Sequence, residues 1–176
     1  MSFSVRRSAT DPLIVRRLAL FVLLFSILAI GGAWYSQLVW RLEPCELCLL
    51  QRWPYYVGVP VAVVTVILAF RAAQGGLLAA LLWLLAVIFL VSAGLAAYHA
   101  GVEWGFWPGP SACTGQYAAP ASTDDFLKSL DTGPSVRCDE AAIRILGLSL
   151  AGWNMLASLL IAAIAALGAK SAKAVP

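Results

Sequence analysis

The sequence predicts an all-α membrane protein, a four-helix transmembrane bundle with a long second loop on the outer side. Of its 176 residues, 61% are apolar and only 12% are charged, about half the charged share of a soluble domain. Four stretches carry no charge, and each supplies the ~20 residues that a helix needs to cross a bilayer, at 18–40, 53–70, 72–102 and 145–169. Because these stretches lack the alternation of a β-barrel, helices are the spanning form. The length fits one membrane domain over 1–176.

The helices are predicted at about 16–36, 48–70, 77–98 and 146–168, with outer loops at about 37–47 and 99–145. The second helix begins before its apolar stretch because that stretch, at 18 residues, is the shortest of the four. Within the long loop, apolar residues at 126, 127 and 130 follow a capping Ser122 or Thr123. This pattern predicts a short amphipathic helix over 124–130 that lies on the membrane surface.

Lysine and arginine residues near the ends of the apolar stretches predict the orientation. Seven lie on one side, in the N-terminal arm, the short link after the second helix and the C-terminal tail: Arg6, Arg7, Arg16, Arg17, Arg71, Lys170 and Lys173. By the positive-inside rule both termini are cytoplasmic, and both cysteine-bearing loops face outward. The alternative for the first stretch is a cleaved signal peptide. Trp34, Tyr35 and Trp40 favour a retained helix because they are typical of an interfacial aromatic belt.

The sharpest feature is a CxxC motif, Cys45-Glu46-Leu47-Cys48, at the start of the second helix. Pro44 suits a helix start, and the N-terminus of a helix lowers the pKa of a cysteine by stabilising its thiolate. Arg52 lies one turn after Cys48 and adds positive charge on the same face. A thiolate of low pKa is the form that exchanges disulfides and attacks electrophiles. The motif therefore indicates redox chemistry, since a structural clip across so small a ring adds little stability.

Two further cysteines, Cys113 and Cys138, lie 25 residues apart in the long outer loop. Taken alone, they predict one structural disulfide that braces the loop, as is common in oxidising compartments. Beside a CxxC motif at the membrane they also permit a disulfide relay, since the Gly-Pro pairs before each cysteine indicate flexible, exposed surroundings that suit an exchangeable disulfide. For the CxxC motif, half of a zinc site is an alternative interpretation, and it needs two more ligands from Cys113, Cys138 or His99.

His99 is the only histidine of the chain and lies at the outer end of the third apolar stretch. One interpretation is an interfacial residue whose polar tip reaches water. The other is a hydrogen-bond donor or proton carrier beside a bound cofactor. Gln51 and Glu103 are further candidates for the same site, without support of their own.

The chain resembles the DsbB family of bacterial disulfide bond formation proteins. The resemblance rests on four helices with both termini inside, the segment CELCLLQR over 45–52, Tyr98-His99 ahead of Cys113, and Cys138 in the second loop. The segment LGLSLAGW over 146–153, which enters the fourth helix, is a further similarity. The similarity spans about 16–167, nearly the whole chain.

The resemblance implies a quinone-dependent thiol:disulfide oxidoreductase of the bacterial inner membrane, with its cysteines facing the periplasm. Cys45 and Cys48 match the disulfide-forming pair next to the quinone, which is ubiquinone or menaquinone. Arg52 and His99 match residues of the quinone site. The disulfide pair Cys113–Cys138 matches the pair that oxidises a periplasmic DsbA-like partner. Electrons then run from the partner to the outer pair, to the inner pair and to the quinone.

Two other functions stay open at this point. One is a related enzyme that serves one dedicated substrate protein, and the other is a small metal-handling or scaffold membrane protein with two structural disulfides. The vitamin-K-reductase-like family also combines four helices, a CxxC motif and a quinone. Its CxxC motif lies late in the bundle, whereas here the motif follows the first helix.

Overall fold

The computed structural model describes residues 12–71, 75–111, 113–114, 122–124, 127 and 136–173. Among these, four segments are long and apolar enough to cross a membrane: Pro12–Leu38, Glu46–Phe70, Gly75–Glu103 and Leu150–Ala172. The predicted four-helix transmembrane bundle is confirmed, and the chain is a multi-pass membrane protein. Most of the predicted surface helix at 124–130 lies outside the described residues. Thr123, Asp124 and Leu127 are described, and they are helical.

The first span is a single helix, α1 (Pro12–Leu38), but the second consists of α2 (Glu46–Leu50) and α3 (Trp53–Phe70). Pro54 accounts for the division, because it has no N–H to donate to the carbonyl four residues earlier. Gln51 and Arg52 form the joint between the two helices, and both keep right-handed helical angles. The joint therefore stays inside the bundle, where both side chains are buried.

The third span, α4 (Gly75–Glu103), is longer than the sequence predicts, and this moves His99 and Glu103 from the loop into the helix. The fourth span, α5 (Leu150–Ala172), starts later than predicted. The predicted start at 146 is wrong because residues 144–149 form an antiparallel hairpin, with strands β1 (Arg144–Ile145) and β2 (Leu148–Ser149).

The turn of this hairpin explains why α5 cannot begin earlier. Leu146 and Gly147 have φ angles of 52° and 84°, the positive values that a tight two-residue hairpin turn requires and a right-handed helix excludes. Helix α5 then begins at a cap, because the Ser149 hydroxyl accepts a hydrogen bond from the Gly152 N–H at 3.1 Å.

Small side chains line much of the contact between the helices. Lipid gives apolar helices no hydrophobic reason to associate, so close backbone approach through small residues drives their packing. Phe89 is fully buried and meets Tyr55 edge-on, with ring centroids 5.4 Å apart. A Cβ atom at Gly58 would lie 2.9 Å from the Phe89 ring. The main cluster of buried apolar residues includes eight alanines: Ala62, Ala69, Ala79, Ala86, Ala162, Ala165, Ala169 and Ala172.

Arg16 joins two helices at the opposite end of the bundle from the CxxC motif. Its Nε donates to the carbonyl of Ala69 at 3.1 Å, and its guanidinium lies 5.4 Å from the centre of the Phe70 ring. The start of α1 and the end of α3 therefore lie side by side. The start of α2, the end of α4 and the start of α5 meet at the other end, and all four cysteines are found there.

Candidate active site

The CxxC motif forms the first turn of α2. Cys45 caps this helix, and its Sγ accepts a hydrogen bond from the Cys48 backbone N–H at 3.2 Å. The two sulfur atoms lie 2.7 Å apart, and the structure carries both residues as free cysteines. A small movement would bring them to disulfide distance, about 2.05 Å. The disulfide between them stays a prediction.

His99 is buried beside this motif, with an exposed fraction of 2%. Its Nε2 lies 3.6 Å from Cys45 Sγ and 3.8 Å from Glu103 Oε1. The ring also meets the backbone of Cys138. Burial rules out the interpretation that its polar tip reaches water. The Glu103 side chain is 5% exposed, and its second oxygen, Oε2, has no hydrogen-bond partner among the described residues.

These neighbours lower the pKa of the Cys45 thiol from its usual 9.0 to about 5. The hydrogen bond from the Cys48 side chain is the largest cause. Burial opposes the shift, while the His99 ring and the Cys48 backbone N–H support it. Cys45 is therefore the sulfur whose thiolate the site stabilises, although the sequence placed the charge of Arg52 nearer to Cys48.

Arg52 points toward α1. Its Nη1 donates to Gln37 Oε1 at 2.7 Å, its Nη2 donates to the Ala33 carbonyl at 3.4 Å, and the guanidinium lies 5.1 Å from the centre of the Trp34 ring. The side chain is 7% exposed, and its hydrogen bonds link the joint of the second span to the C-terminal end of α1. Sequence reasoning did not single out Gln37, although a polar amide at the end of an apolar stretch was a signal.

A chain of hydrogen-bonded side chains leads from His99 into the bundle. The Gln51 side-chain nitrogen lies 2.6 Å from His99 Nδ1, and the Gln51 oxygen accepts from the Asn154 amide at 2.7 Å. The Asn154 oxygen in turn accepts from the Tyr55 hydroxyl at 2.6 Å. We call Tyr55, Asn154, Gln51 and His99 the polar chain. Sequence reasoning gave Gln51 no support and missed Tyr55 and Asn154, although an amide inside the fourth apolar stretch was a usable signal.

The outer cysteines, Cys113 and Cys138, are joined in a disulfide, and the Cys138 N–H donates to the Cys113 carbonyl at 2.8 Å. The expectation of exposed surroundings is wrong, because their exposed fractions are 3% and 0%. They are buried because they pack with Cys45, Leu47 and Val102 in one cluster at the end of the bundle. The inner and outer cysteine pairs are therefore neighbours, while a folded partner protein has little direct access to either outer sulfur.

A cavity of about 460 Å³ adjoins the motif, between the end of α1 and the start of α5. Its walls are mostly apolar, with side chains such as Leu28, Ala29 and Ala157. A cavity of this volume suits a small ring compound. The side chains with reactive, polar or charged groups that line it include Cys45, Cys48, Gln51, Arg52, His99 and Glu103. An apolar space with one buried guanidinium and a buried carboxyl fits a planar apolar molecule that carries polar oxygens.

The same side chains bear on the zinc interpretation. Cys45, Cys48 and His99 each have one potential metal-ligand atom, and these three atoms lie within 4.8 Å of one another. A structural zinc site needs four protein ligands. The outer cysteines cannot supply the fourth while they are bound to each other, because a disulfide sulfur is not a thiolate.

Comparison with known proteins decides the family. Residues 15–168 match the family model described as Disulfide bond formation protein DsbB. The chain belongs to the DsbB family. Membership confirms the resemblance drawn from the sequence and makes the protein a membrane thiol oxidoreductase of disulfide bond formation.

Two relatives show how far this DsbB-family chain has diverged. Disulfide bond formation protein B 1 of Pseudomonas fluorescens is 30% identical over 155 residues, which cover 87% of this chain and 88% of that protein. Uncharacterized protein RP370 of Rickettsia prowazekii is 26% identical over 141 residues, which cover 79% of this chain and 78% of that protein. No solved structure matches the chain significantly.

Proposed function

We propose that this protein reoxidises a periplasmic DsbA-like dithiol protein by disulfide exchange and passes the electrons to a membrane quinone, ubiquinone or menaquinone. The observation that carries the proposal is the contact between the two cysteine pairs. The Cys113–Cys138 disulfide packs with Cys45 in one buried cluster, and Cys48 lines a cavity that Arg52 also lines. Thiol exchange at one end of this arrangement and electron transfer at the other need only short movements.

The exchange steps follow from thiol chemistry. A partner thiolate attacks Cys113 and forms a mixed disulfide, as the family resemblance suggests, and Cys138 leaves as a thiolate. The second partner thiolate then breaks the mixed disulfide, so the partner gains a disulfide and the outer pair becomes a dithiol. The Cys45–Cys48 disulfide reoxidises the outer pair in the same way and becomes a dithiol itself. Each cycle moves two electrons and two protons toward the cavity.

Burial of the outer pair sets a condition on the first step. A thiolate must approach the attacked sulfur in line, and Cys113 is 3% exposed. The segment that carries it must therefore move off the end of α4 before a partner reacts. The cluster joins an oxidised outer pair to a reduced inner pair, the redox states that we propose once the inner pair has reoxidised the outer pair.

The cavity fits a quinone head group, which supplies an acceptor of two electrons and two protons when bound. Arg52 would hold one carbonyl oxygen, because its guanidinium is the buried cation of the cavity wall. His99 and Glu103 lie next to the thiols that give up protons. A quinone also suits the energetics. A DsbA-type couple at about −120 mV is too oxidising for glutathione-like couples at about −200 mV to reoxidise it.

The proposed orientation places both termini in the cytoplasm and the cysteines in the periplasm of a bacterial inner membrane. It is supported by the clustering of all four cysteines at one end of the bundle and of Arg16, Arg17 and Arg71 at the other. Basic residues close to membrane ends favour the cytoplasmic side.

The direct test is quinone reduction by the purified full chain. Reduced DsbA-like protein and a soluble ubiquinone analogue are mixed with the chain in detergent, and absorbance follows the loss of quinone. We expect one quinone reduced for each partner disulfide formed, and no reduction with a chain in which both outer cysteines are serine. A well-folded chain that reduces no quinone, or that reduces it equally without the outer pair, contradicts the proposal.

One observation favours a second function, the handling of a metal ion. Cys45, Cys48 and His99 form a compact set of three potential ligands. If this were the function, the purified chain would carry zinc in a stoichiometric amount, and a mild dithiol would leave the Cys113–Cys138 bridge intact. Metal analysis beside a redox titration separates the two functions, since the thiol relay requires both pairs to be reducible.

A further inference from the structure

We infer that Gln51 and Asn154 are positioning residues, which hold the proton of the neutral His99 ring on Nε2 and direct it at the sulfur of Cys45. The inference deepens the proposed function and rests on it for the effect on turnover. The tautomer of the ring and the state of Cys45 are properties of the chain alone, and they can be measured without quinone or partner.

The direction of the polar chain is set at Gln51. Its side-chain nitrogen lies 3.4 Å from the Leu47 carbonyl and 2.6 Å from His99 Nδ1. A carbonyl oxygen can only accept, so the amide nitrogen, with its two hydrogens, must be the group that faces both atoms. The opposite orientation would bring the Gln51 oxygen against the Leu47 oxygen.

Asn154 supports this orientation from the fourth span. Its amide nitrogen donates to the Gln51 oxygen at 2.7 Å. Its own oxygen accepts from the Tyr55 hydroxyl at 2.6 Å and from the Ser158 hydroxyl at 3.5 Å. Each amide therefore has its nitrogen toward an acceptor and its oxygen toward a donor. Reversing Asn154 alone would set its oxygen against the Gln51 oxygen, and that hydrogen bond would be lost.

The tautomer of His99 follows. Because Gln51 donates to Nδ1, that nitrogen must be the unprotonated acceptor, and a neutral imidazole then carries its proton on Nε2. Nε2 lies 3.6 Å from Cys45 Sγ and 3.8 Å from Glu103 Oε1. The N–H is thus available to stabilise a Cys45 thiolate, and the sulfur gains a donor that the helix start alone does not supply.

Because the polar chain is buried, its hydrogen bonds determine where the proton of the His99 ring lies. Gln51 and His99 are both almost wholly buried, so water does not replace a lost partner and an unpaired polar group there is costly. Tyr55 comes from α3, Asn154 from α5, Gln51 from the joint and His99 from α4. The packing of three spans therefore fixes a single proton next to the sulfur. Among the described residues, the other titratable or charged groups around Cys45 and its cavity are Cys48, Glu103, Arg52, Glu43, Arg137, Glu140, Tyr35 and Tyr55.

The first test reads the tautomer directly. His99 is the only histidine, so the full chain, purified through a tag without histidine and labelled with ¹⁵N-histidine, gives the signals of one ring. We expect a neutral ring with protonated Nε2 and unprotonated Nδ1 in the reduced protein, with neither quinone nor partner added. A ring with its proton on Nδ1 overturns the inference.

The second test uses variants that keep the size of each side chain. Gln51→Met and Asn154→Leu remove the amides, and Thr65→Val is the matched control, because the Thr65 hydroxyl is buried in the second span but bonds the Val61 carbonyl of its own helix. The readout is the alkylation rate of Cys45 against pH, followed by mass spectrometry in a chain whose outer cysteines are serine. Removing one net hydrogen bond should lower the thiolate-to-thiol ratio of Cys45 roughly two- to tenfold.

The outcomes separate this inference from the proposed function. We expect the pH profile of Cys45 and the histidine signals to change in both amide variants and to stay unchanged in Thr65→Val. If the pH profile of Cys45 is unchanged in folded Gln51→Met or Asn154→Leu protein, the two amides contribute only to packing, and the inference is overturned. If quinone reduction fails in the parent chain while the tautomer is as expected, the proposed function fails and the positioning role stands.

Discussion

Arg52 offers the sharpest separation between a structural and a catalytic role. It is buried and donates to Gln37 on α1 at 2.7 Å, a charged hydrogen bond that contributes about 1.5–3 kcal/mol to stability. Its stacking on Trp34 adds about 0.5–2 kcal/mol. Arg52→Met removes both contributions. If the guanidinium also stabilises negative charge on a quinone oxygen, losing that donor costs about 2.7–4 kcal/mol, or a factor of about 100 to 1000 in rate.

The assay compares Arg52→Met with Gln37→Leu, which breaks the same hydrogen bond and leaves the guanidinium in the protein. Thermal unfolding in detergent should fall in both variants. The kcat/KM for quinone should fall about 100- to 1000-fold in Arg52→Met and much less in Gln37→Leu, while disulfide exchange with the partner continues in each. Equal losses of quinone reduction in the two variants would show that Arg52 only anchors the joint to α1, and would refute the reasoning.

Three further predictions concern topology, thiol chemistry and packing. An impermeant maleimide should label Cys113 and Cys138 in reduced, intact spheroplasts, and labelling that requires an opened cytoplasmic face contradicts the orientation. Because the Cys45 pKa is lowered to about 5, the alkylation rate of Cys45 should stay constant as the pH falls from neutral and should drop only near pH 5. A rate that already drops near pH 8 or 9, the usual range for a free thiol, shows an ordinary thiol. Gly58→Ala should lower stability by about 1–3 kcal/mol because its Cβ would meet Phe89 at 2.9 Å; thermal unfolding that matches the parent contradicts this packing.

The four spans could be predicted from the sequence because lipid leaves a backbone few ways to satisfy its own hydrogen bonds. A charge-free stretch of sufficient length must be a helix, whatever it packs against. The ends of the helices depend on local backbone conformation, which hydropathy does not predict. Residues 145–149 are apolar enough to continue the fourth helix toward the N-terminus. The positive φ angles of Leu146 and Gly147 place them in a hairpin turn instead. Pro54 was a readable signal for the joint at Gln51 and Arg52.

The cysteines and candidates such as Arg52 and His99 could be predicted from the sequence, but the contacts between these side chains could not. The CxxC spacing identifies the reactive cysteines, but the residues that contact them come from distant parts of the chain. Asn154 meets Gln51 across 103 residues, and His99 meets Cys45 across 54. Local sequence cannot show which span lies next to which, so the polar chain and the burial of Cys113 and Cys138 emerged only from the packed bundle. Gly-Pro pairs suggested exposed outer cysteines, and tertiary contacts with Val102 and Leu47 overrode that local signal.

The division of labour between the two cysteine pairs is the central claim, and trapping the partner tests it most directly. A DsbA-like protein that lacks its resolving cysteine is mixed with each variant, and a non-reducing gel shows the mixed disulfide. Cys113→Ser should abolish the adduct, whereas Cys45→Ser should keep the adduct and block steady quinone turnover. An adduct that persists in Cys113→Ser and vanishes in Cys45→Ser would reverse the assignment, and full turnover without Cys113 and Cys138 would reduce the outer disulfide to a brace.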